Sequence, residues 1–83
     1  MKEFLEKLIS FIVTEETEFE IKEDFSEPEN LTVYTIFVPE NEIGKVIGKG
    51  GKVISAIRTL CRIKAVKENK RIILKAEVFP KNT

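Results

Sequence analysis

The stretch from Ile43 to Ile54, Ile-Gly-Lys-Val-Ile-Gly-Lys-Gly-Gly-Lys-Val-Ile, is where residue types and spacing come closest to doing chemistry. Glycines stand at 48, 50 and 51, and Lys45, Lys49 and Lys52 surround them. Glycine in that density lets a backbone approach a ligand closely and permits positive φ in a tight turn. A helix that begins just after it offers unpaired N–H donors and the positive end of its dipole. The lysines add attraction without demanding one fixed geometry. Together these features suit a chain of phosphates. Two other phosphate loops are excluded by spacing. A P-loop needs Gly-x-x-x-x-Gly-Lys-Ser/Thr, yet the residue five after Gly44 is Lys49; a dinucleotide fingerprint needs Gly-x-Gly-x-x-Gly, yet the residue three after Gly50 is Val53.

Catalytic chemistry finds little to work with. The chain has no histidine, which removes the commonest general base and metal ligand. Its one cysteine, Cys61, can form no internal disulfide and no cysteine metal cluster, and core packing explains it better than redox work. Net charge is zero, but residues 1–42 hold three lysines and twelve acids, whereas residues 43–83 hold eleven Lys or Arg and two acids. The acids thus concentrate away from the glycine segment, and no acid–base pair is evident there. No enzyme, metal or cofactor is expected. The asymmetry suits a face for a polyanion and another that repels it, the alternative being charge that merely keeps a small domain in solution.

The elements that must position this segment follow from periodicity. Phe4, Leu5, Leu8, Ile9 and Ile12 recur at helical spacing over residues 2–13. Over 17–25 the period changes to two, with Phe19, Ile21 and Phe25 alternating with charges as in a half-buried strand. Residues 26–30 read as a turn, and 31–38, β-branched and aromatic, as a second strand stopped by Pro39. A short helix is expected from about 40 to 47, broken by the glycines. A second runs over 52–62 with Val53, Ile54, Ile57, Leu60 and Cys61 on one stripe. Residues 64–70 read as a lysine-rich connection, 71–79 as a third strand and 80–83 as a frayed end. The order α-β-β-α-α-β, with two helices in a crossover long enough for parallel pairing, gives an α+β fold. It is a two-layer α/β sandwich whose three-stranded mixed sheet carries its helices on one face.

One such domain spans 1–83, and a chain this short buries about 60–70% of its unfolded surface. Charges interrupt the apolar residues at the N-terminus, so neither a signal peptide nor a membrane span is expected, and a soluble, cytoplasmic protein is. The phenylalanines at 4, 11, 19, 25 and 37 are assigned to core packing. Tyr34 shares a strand face with Ile36, opposite Leu31, Val33 and Phe37, so both faces of the second strand are apolar. A two-layer fold covers one sheet face, which leaves the other set exposed or against a partner.

With the segment placed between two helices, Val46-Ile47-Gly48-Lys49-Gly50-Gly51-Lys52-Val53-Ile54 resembles the signature loop of KH domains, in the type II element order. Gly44 to Lys49, Ala56-Ile57-Arg58-Thr59 and Val66 to Arg71 further resemble the small bacterial KhpA (YlqC-like) proteins, a likeness covering nearly the whole chain. The resemblance implies a bacterial single-stranded-RNA-binding module. It also implies self-association, as a homodimer, or a heterodimer with a second KH protein of the KhpB (Jag-like) family. Residues 48–51 match the clamp that holds about four nucleotides of backbone.

The residues expected to meet RNA are Lys45, Val46, Ile47, Gly48, Lys49, Gly50, Gly51, Lys52, Ile54, Arg58, Lys70 and Arg71. Val46, Ile47, Val53, Ile54 and Ile57 are expected to floor a groove for unstacked bases. Arg58 and Arg62 read equally as phosphate contacts or as solubilising charge. Lys64, Lys67, Lys70 and Arg71 read as a solvated loop or as the flank opposite the clamp. The function expected is that of an RNA chaperone or post-transcriptional regulator. The rival is a KH-fold interaction or dimerisation subunit with little RNA affinity.

Overall fold

The computed structural model describes residues 1–80; Lys81, Asn82 and Thr83, assigned to the frayed end, lie outside the described residues. The elements run α1 (Lys2–Ile12), β1 (Glu20–Ser26), β2 (Leu31–Val38), α2 (Ile43–Ile47), α3 (Lys52–Lys67) and β3 (Arg71–Val78), with a single 3₁₀ turn over Lys49–Gly51. β2 is the central strand. It pairs antiparallel with β1 across the 27–30 turn, and parallel with β3 after the two-helix crossover. The α+β order and the mixed sheet are as the periodicity predicts, and the architecture is the type II KH-like one that the resemblance implies.

Register explains which residues enter the core. Ile21 lies opposite Ile36, Tyr34 opposite Leu74, and Ile36 opposite Ala76, so these residues share the face covered by helices. Leu5 and Ile9 from α1, Val46 from α2, and Ile54, Ile57 and Cys61 from α3 close over that face. Seven of the core side chains, Tyr34, Leu5, Ile9, Ile36, Val38, Val46 and Cys61, are fully enclosed. Enclosing a Leu, Ile or Val side chain contributes about 1.5–3 kcal/mol.

The opposite sheet face has no helix over it. There Leu31, Val33 and Phe37 of β2 sit beside Ile73 of β3, and Phe79 stacks on Phe37 with ring centroids 5.9 Å apart. This settles the two faces of β2: Tyr34 and Ile36 belong to the core, and Leu31, Val33 and Phe37 to the open side. Tyr34 is buried and donates its hydroxyl to a Glu23 carboxylate oxygen at 2.7 Å. Burial first, and the neighbouring Glu23 next, push its phenol above the usual range.

Several expectations are corrected. α3 continues to Lys67, five residues past the predicted end, because Ala65 extends the buried stripe of Ile54, Ile57 and Cys61 by one more turn. Lys64 and Lys67 are therefore helical, not part of a connecting loop. Leu60 leaves that stripe and is 45% exposed, on the outer side of α3 with Ile63 and Val66. Phe11 is 81% exposed because it falls off the Leu5–Ile9 stripe of α1. Phe25 points to the helix side of the sheet but is 57% exposed. It lies near the hairpin tip, where it lines a cavity of about 210 Å³ with Glu23, Asn30, Thr32, Tyr34 and Lys70.

One acid holds the scaffold around α2. Glu42, immediately before the helix, is only 3% exposed. Its carboxylate accepts the Thr14 N–H at 2.5 Å and the Thr17 hydroxyl at 3.1 Å, and pairs with Lys45 at 3.0 Å. The connection after α1 is thus tied to the start of α2. The Thr14 N–H foremost, and then Lys45, hold the Glu42 carboxyl down at about 2.

Candidate nucleic-acid interface

The turn between α2 and α3 is built by three glycines with positive φ. Gly48 donates its N–H to the Gly44 carbonyl at 2.8 Å, ending α2, and the Gly51 N–H returns to the Gly48 carbonyl at 3.0 Å. Gly48 sits at φ 77°, ψ 167°, a region open essentially to glycine alone. A Cβ there would lie 2.3 Å from Val53 Cγ2 and 2.8 Å from the Val53 backbone nitrogen. The close return of the chain onto α3 therefore demands glycine. Gly50 and Gly51, at φ 63° and 76°, have nothing within 4 Å of a notional Cβ, so their outer side is open. The 3₁₀ turn leads directly into α3, and the Lys52 N–H donates to the Lys49 carbonyl.

Charge around the turn is unevenly available. Lys49 and Lys52 are exposed and have no ion-pair partner among the described residues. Lys45 is different: it pairs with Glu42 and donates to the Thr14 hydroxyl, so it serves the scaffold. On α3, Arg58 places Nε and Nη2 at 3.4 and 3.3 Å from the Leu74 carbonyl oxygen, on the outer strand β3. Arg62 follows one turn later and is exposed. Arg58 thus ties the first half of α3 to β3, beyond the glycine turn.

The apolar floor is smaller than expected. Val46, Ile54 and Ile57 are closed into the core and offer no surface to a base. Ile47 and Val53 remain, half-buried beside the turn. Lys70 and Arg71 do not gather with the clamp, because α3 separates them from it by about 24 Å, its 16 residues rising about 1.5 Å each. Lys70 pairs with Glu68 at 3.5 Å, and Glu68 also pairs with Lys64 at 3.3 Å. Those two lysines, Lys64 foremost, hold the Glu68 carboxyl below its usual range. Arg71 opens β3 on the uncovered sheet face, in register with Leu31.

Sequence reasoning placed the turn, Lys49 and Lys52. It missed the Glu42 anchor and the seat of Arg58 on Leu74, because each joins residues far apart in the chain. The Gly48–Val53 contact had one available signal, a β-branched residue shortly after the first glycine.

A three-stranded sheet of this order, crossed by two helices that meet at a Gly-x-x-Gly turn, defines a KH domain of type II. The chain belongs to the KhpA/KhpB KH-domain family, whose model matches residues 2–76. It is similar to the RNA-binding protein KhpA of Chlamydia trachomatis, 38% identical over 89% of this chain and 92% of that protein. The RNA-binding protein KhpA of Clostridium acetobutylicum is 36% identical over 89% of this chain and 96% of its own length. That of Borreliella burgdorferi is 39% identical over 82% of this chain and 85% of its own. No solved structure matches the chain significantly. Among the described residues, no helix is long and apolar enough to cross a membrane.

Proposed function

We propose that this chain is a single KH domain that binds short stretches of single-stranded RNA in the cytoplasm. Its role is that of an RNA chaperone or post-transcriptional regulator, by binding and without catalysis. The observation that carries the reading is the Gly48–Gly51 turn. It is open on its outer side at Gly50 and Gly51 and flanked by the free ammonium groups of Lys49 and Lys52. Backbone N–H groups and lysines there meet phosphates, while Ile47, Val53 and the Arg58 flank meet sugars and bases. The names of the KhpA relatives agree with RNA as the ligand.

Two measurements test it. With about three or four phosphates neutralised, log K for a short oligonucleotide falls with log salt at a slope of roughly −2 to −3. Replacing Lys49 and Gly50 together by Asp removes one positive charge, adds two negative ones and puts side chains where a phosphate approaches. Binding then weakens more than about tenfold, 1.4 kcal/mol, while circular dichroism stays that of the parent. A double variant that folds and binds like the parent refutes the clamp and favours the interaction-subunit alternative.

That alternative has one observation of its own. The open sheet face with Leu31, Val33, Phe37, Ile73 and Phe79 supports self-association or pairing with a second KH protein of the KhpB (Jag-like) kind. Light scattering at micromolar concentration reports it: a clean monomer removes the homodimer and leaves only a partner-dependent contact.

A further inference from the structure

Two opposite charges border the cavity at the hairpin tip without meeting. Glu23 and Lys70 both line its space of about 210 Å³. Among the described residues Lys70 pairs only with Glu68, and Glu23 pairs with no base. Glu23 stands on β1 and Lys70 at the entry to β3, with β2 between them. Their charges therefore face a common space from its two sides.

The corner is built by the hairpin and left open by the helices. Glu23 lies opposite Tyr34 and Phe25 opposite Thr32, so four neighbouring side chains share this part of the helix-side face. Phe25 is 57% exposed there, whereas Tyr34 and Thr32 are buried beneath it. α3 has already ended at Lys67, and Asn30 at the hairpin tip donates its amide to the Asn69 carbonyl at 3.5 Å, forming part of the rim.

The acid side of the cavity is rich in acceptors. Tyr34 donates its hydroxyl to one Glu23 oxygen, which leaves the other Glu23 oxygen and the phenol lone pairs unused. The Thr32 hydroxyl makes no hydrogen bond to another described residue. It is nonetheless not a sealed, partnerless atom, so it opens to the cavity that Thr32 lines. Acceptors grouped on one wall with an aromatic ring beside them suit a primary ammonium. On the other side Lys70 gives one of its three donors to Glu68, at 3.5 Å, and keeps the rest for a carboxylate. A polyamine would set a second cation against Lys70, and a polyanion would set its charge against Glu23 and Glu68. The volume equals about seven waters at roughly 30 Å³ each, the size of a small amino acid rather than a peptide.

We propose that this cavity binds a free α-amino acid with a small apolar side chain. Its ammonium rests on Glu23, Tyr34 and Thr32, its carboxylate on Lys70, and its side chain against Phe25. The site is independent of the RNA-binding reading, because it lies at the far end of α3 from the glycine turn.

Amide chemical-shift titration of the full chain with L-valine tests it. Shifts at Glu23, Phe25, Thr32 and Lys70 saturate with a dissociation constant on the order of millimolar, as so small a ligand at an open site permits, and Gly50 and Gly51 do not move. L-Valinamide, which lacks the carboxylate, and N-acetyl-L-valine, which lacks the ammonium, each bind about tenfold more weakly, the loss of one charge-assisted hydrogen bond. Glu23→Gln and Lys70→Gln each weaken valine by a similar factor, and thermal melting confirms that they fold. Should Glu23→Gln unfold through its contact with Tyr34, Lys70→Gln carries the test alone. Shifts that never saturate, shifts centred elsewhere, or valinamide binding as tightly as valine overturn the proposal.

Discussion

Replacing Gly48 by Ala should separate the structural glycine of the turn from the exposed ones. The new methyl would stand 2.3 Å from Val53 Cγ2, 2.8 Å from Val53 Cβ and 2.8 Å from the Val53 nitrogen. Carbon contacts are optimal near about 3.5–4.0 Å, so all three are strongly repulsive. The valine methyl can rotate aside, but the backbone nitrogen belongs to the first turn of α3 and cannot. The conformation itself, φ 77° with ψ 167°, adds strain of about 1–3 kcal/mol for any other residue. With overpacking included, the expected cost is roughly 2–4 kcal/mol. At about 4–8 °C per kcal/mol for a domain of this size, the midpoint should fall by about 8–32 °C. Gly50→Ala is the control. Its φ of 63° and ψ of 20° lie in the ordinary left-handed region, with nothing within 4 Å of the new methyl. That costs about 1 kcal/mol, partly offset by the lower entropy of the unfolded chain. Parallel melts followed by circular dichroism decide the matter. If Gly48→Ala melts within a few degrees of Gly50→Ala, the return onto Val53 does not shape the turn and the argument is wrong.

Two further outcomes are expected. Glu42, held at about 2 in the folded state against an ordinary 4.5, contributes stability that is present above pH 4.5 and disappears as pH falls toward 2. Glu42→Gln should therefore be less stable than the parent at pH 7, with the difference closing over that window in a pH series of urea melts; a constant difference would refute the ion-pair role. Cys61 is fully enclosed, and burial pushes its thiol up. A thiol reagent at pH 8 should label it only at the rate at which the protein opens, so labelling as fast as in urea-unfolded protein would contradict its placement.

How far the sequence carries the structure differs by element. The bounds of α1 and β3 follow within about two residues from local period, and those of β2 from its β-branched and aromatic run stopped by Pro39. α3 runs past its expected end because Lys64, Lys67 and Lys70 look like loop composition. The deciding residue is Ala65, small and buried, with Lys64 and Glu68 paired one turn apart on the surface. For the site, the glycine turn was legible because its requirement is local. The groove floor was not, since periodicity identifies an apolar stripe without saying which members a neighbouring layer covers. Val46, Ile54 and Ile57 turned out to be covered, whereas Ile47 and Val53 are partly open. Arg58 could be placed only once β3 was known to run beside α3.

The parallel pairing of β2 with β3 has a kinetic consequence. β1 and β2 are joined by a short turn and can zip in about 1–10 μs, the time of a hairpin. The other edge of β2 must wait for β3, which arrives only after α2, the glycine turn and α3 have been traversed. Closing that long crossover is the slow step that non-local pairing imposes. In any species in which β3 is undocked, Leu31–Val38 presents an unpaired edge whose side chains are apolar on both faces. Such an edge is a template for pairing with another chain. Refolding yield should therefore fall with protein concentration, and substitutions that loosen β3, rather than those in the exposed glycines, should be the ones that promote aggregation.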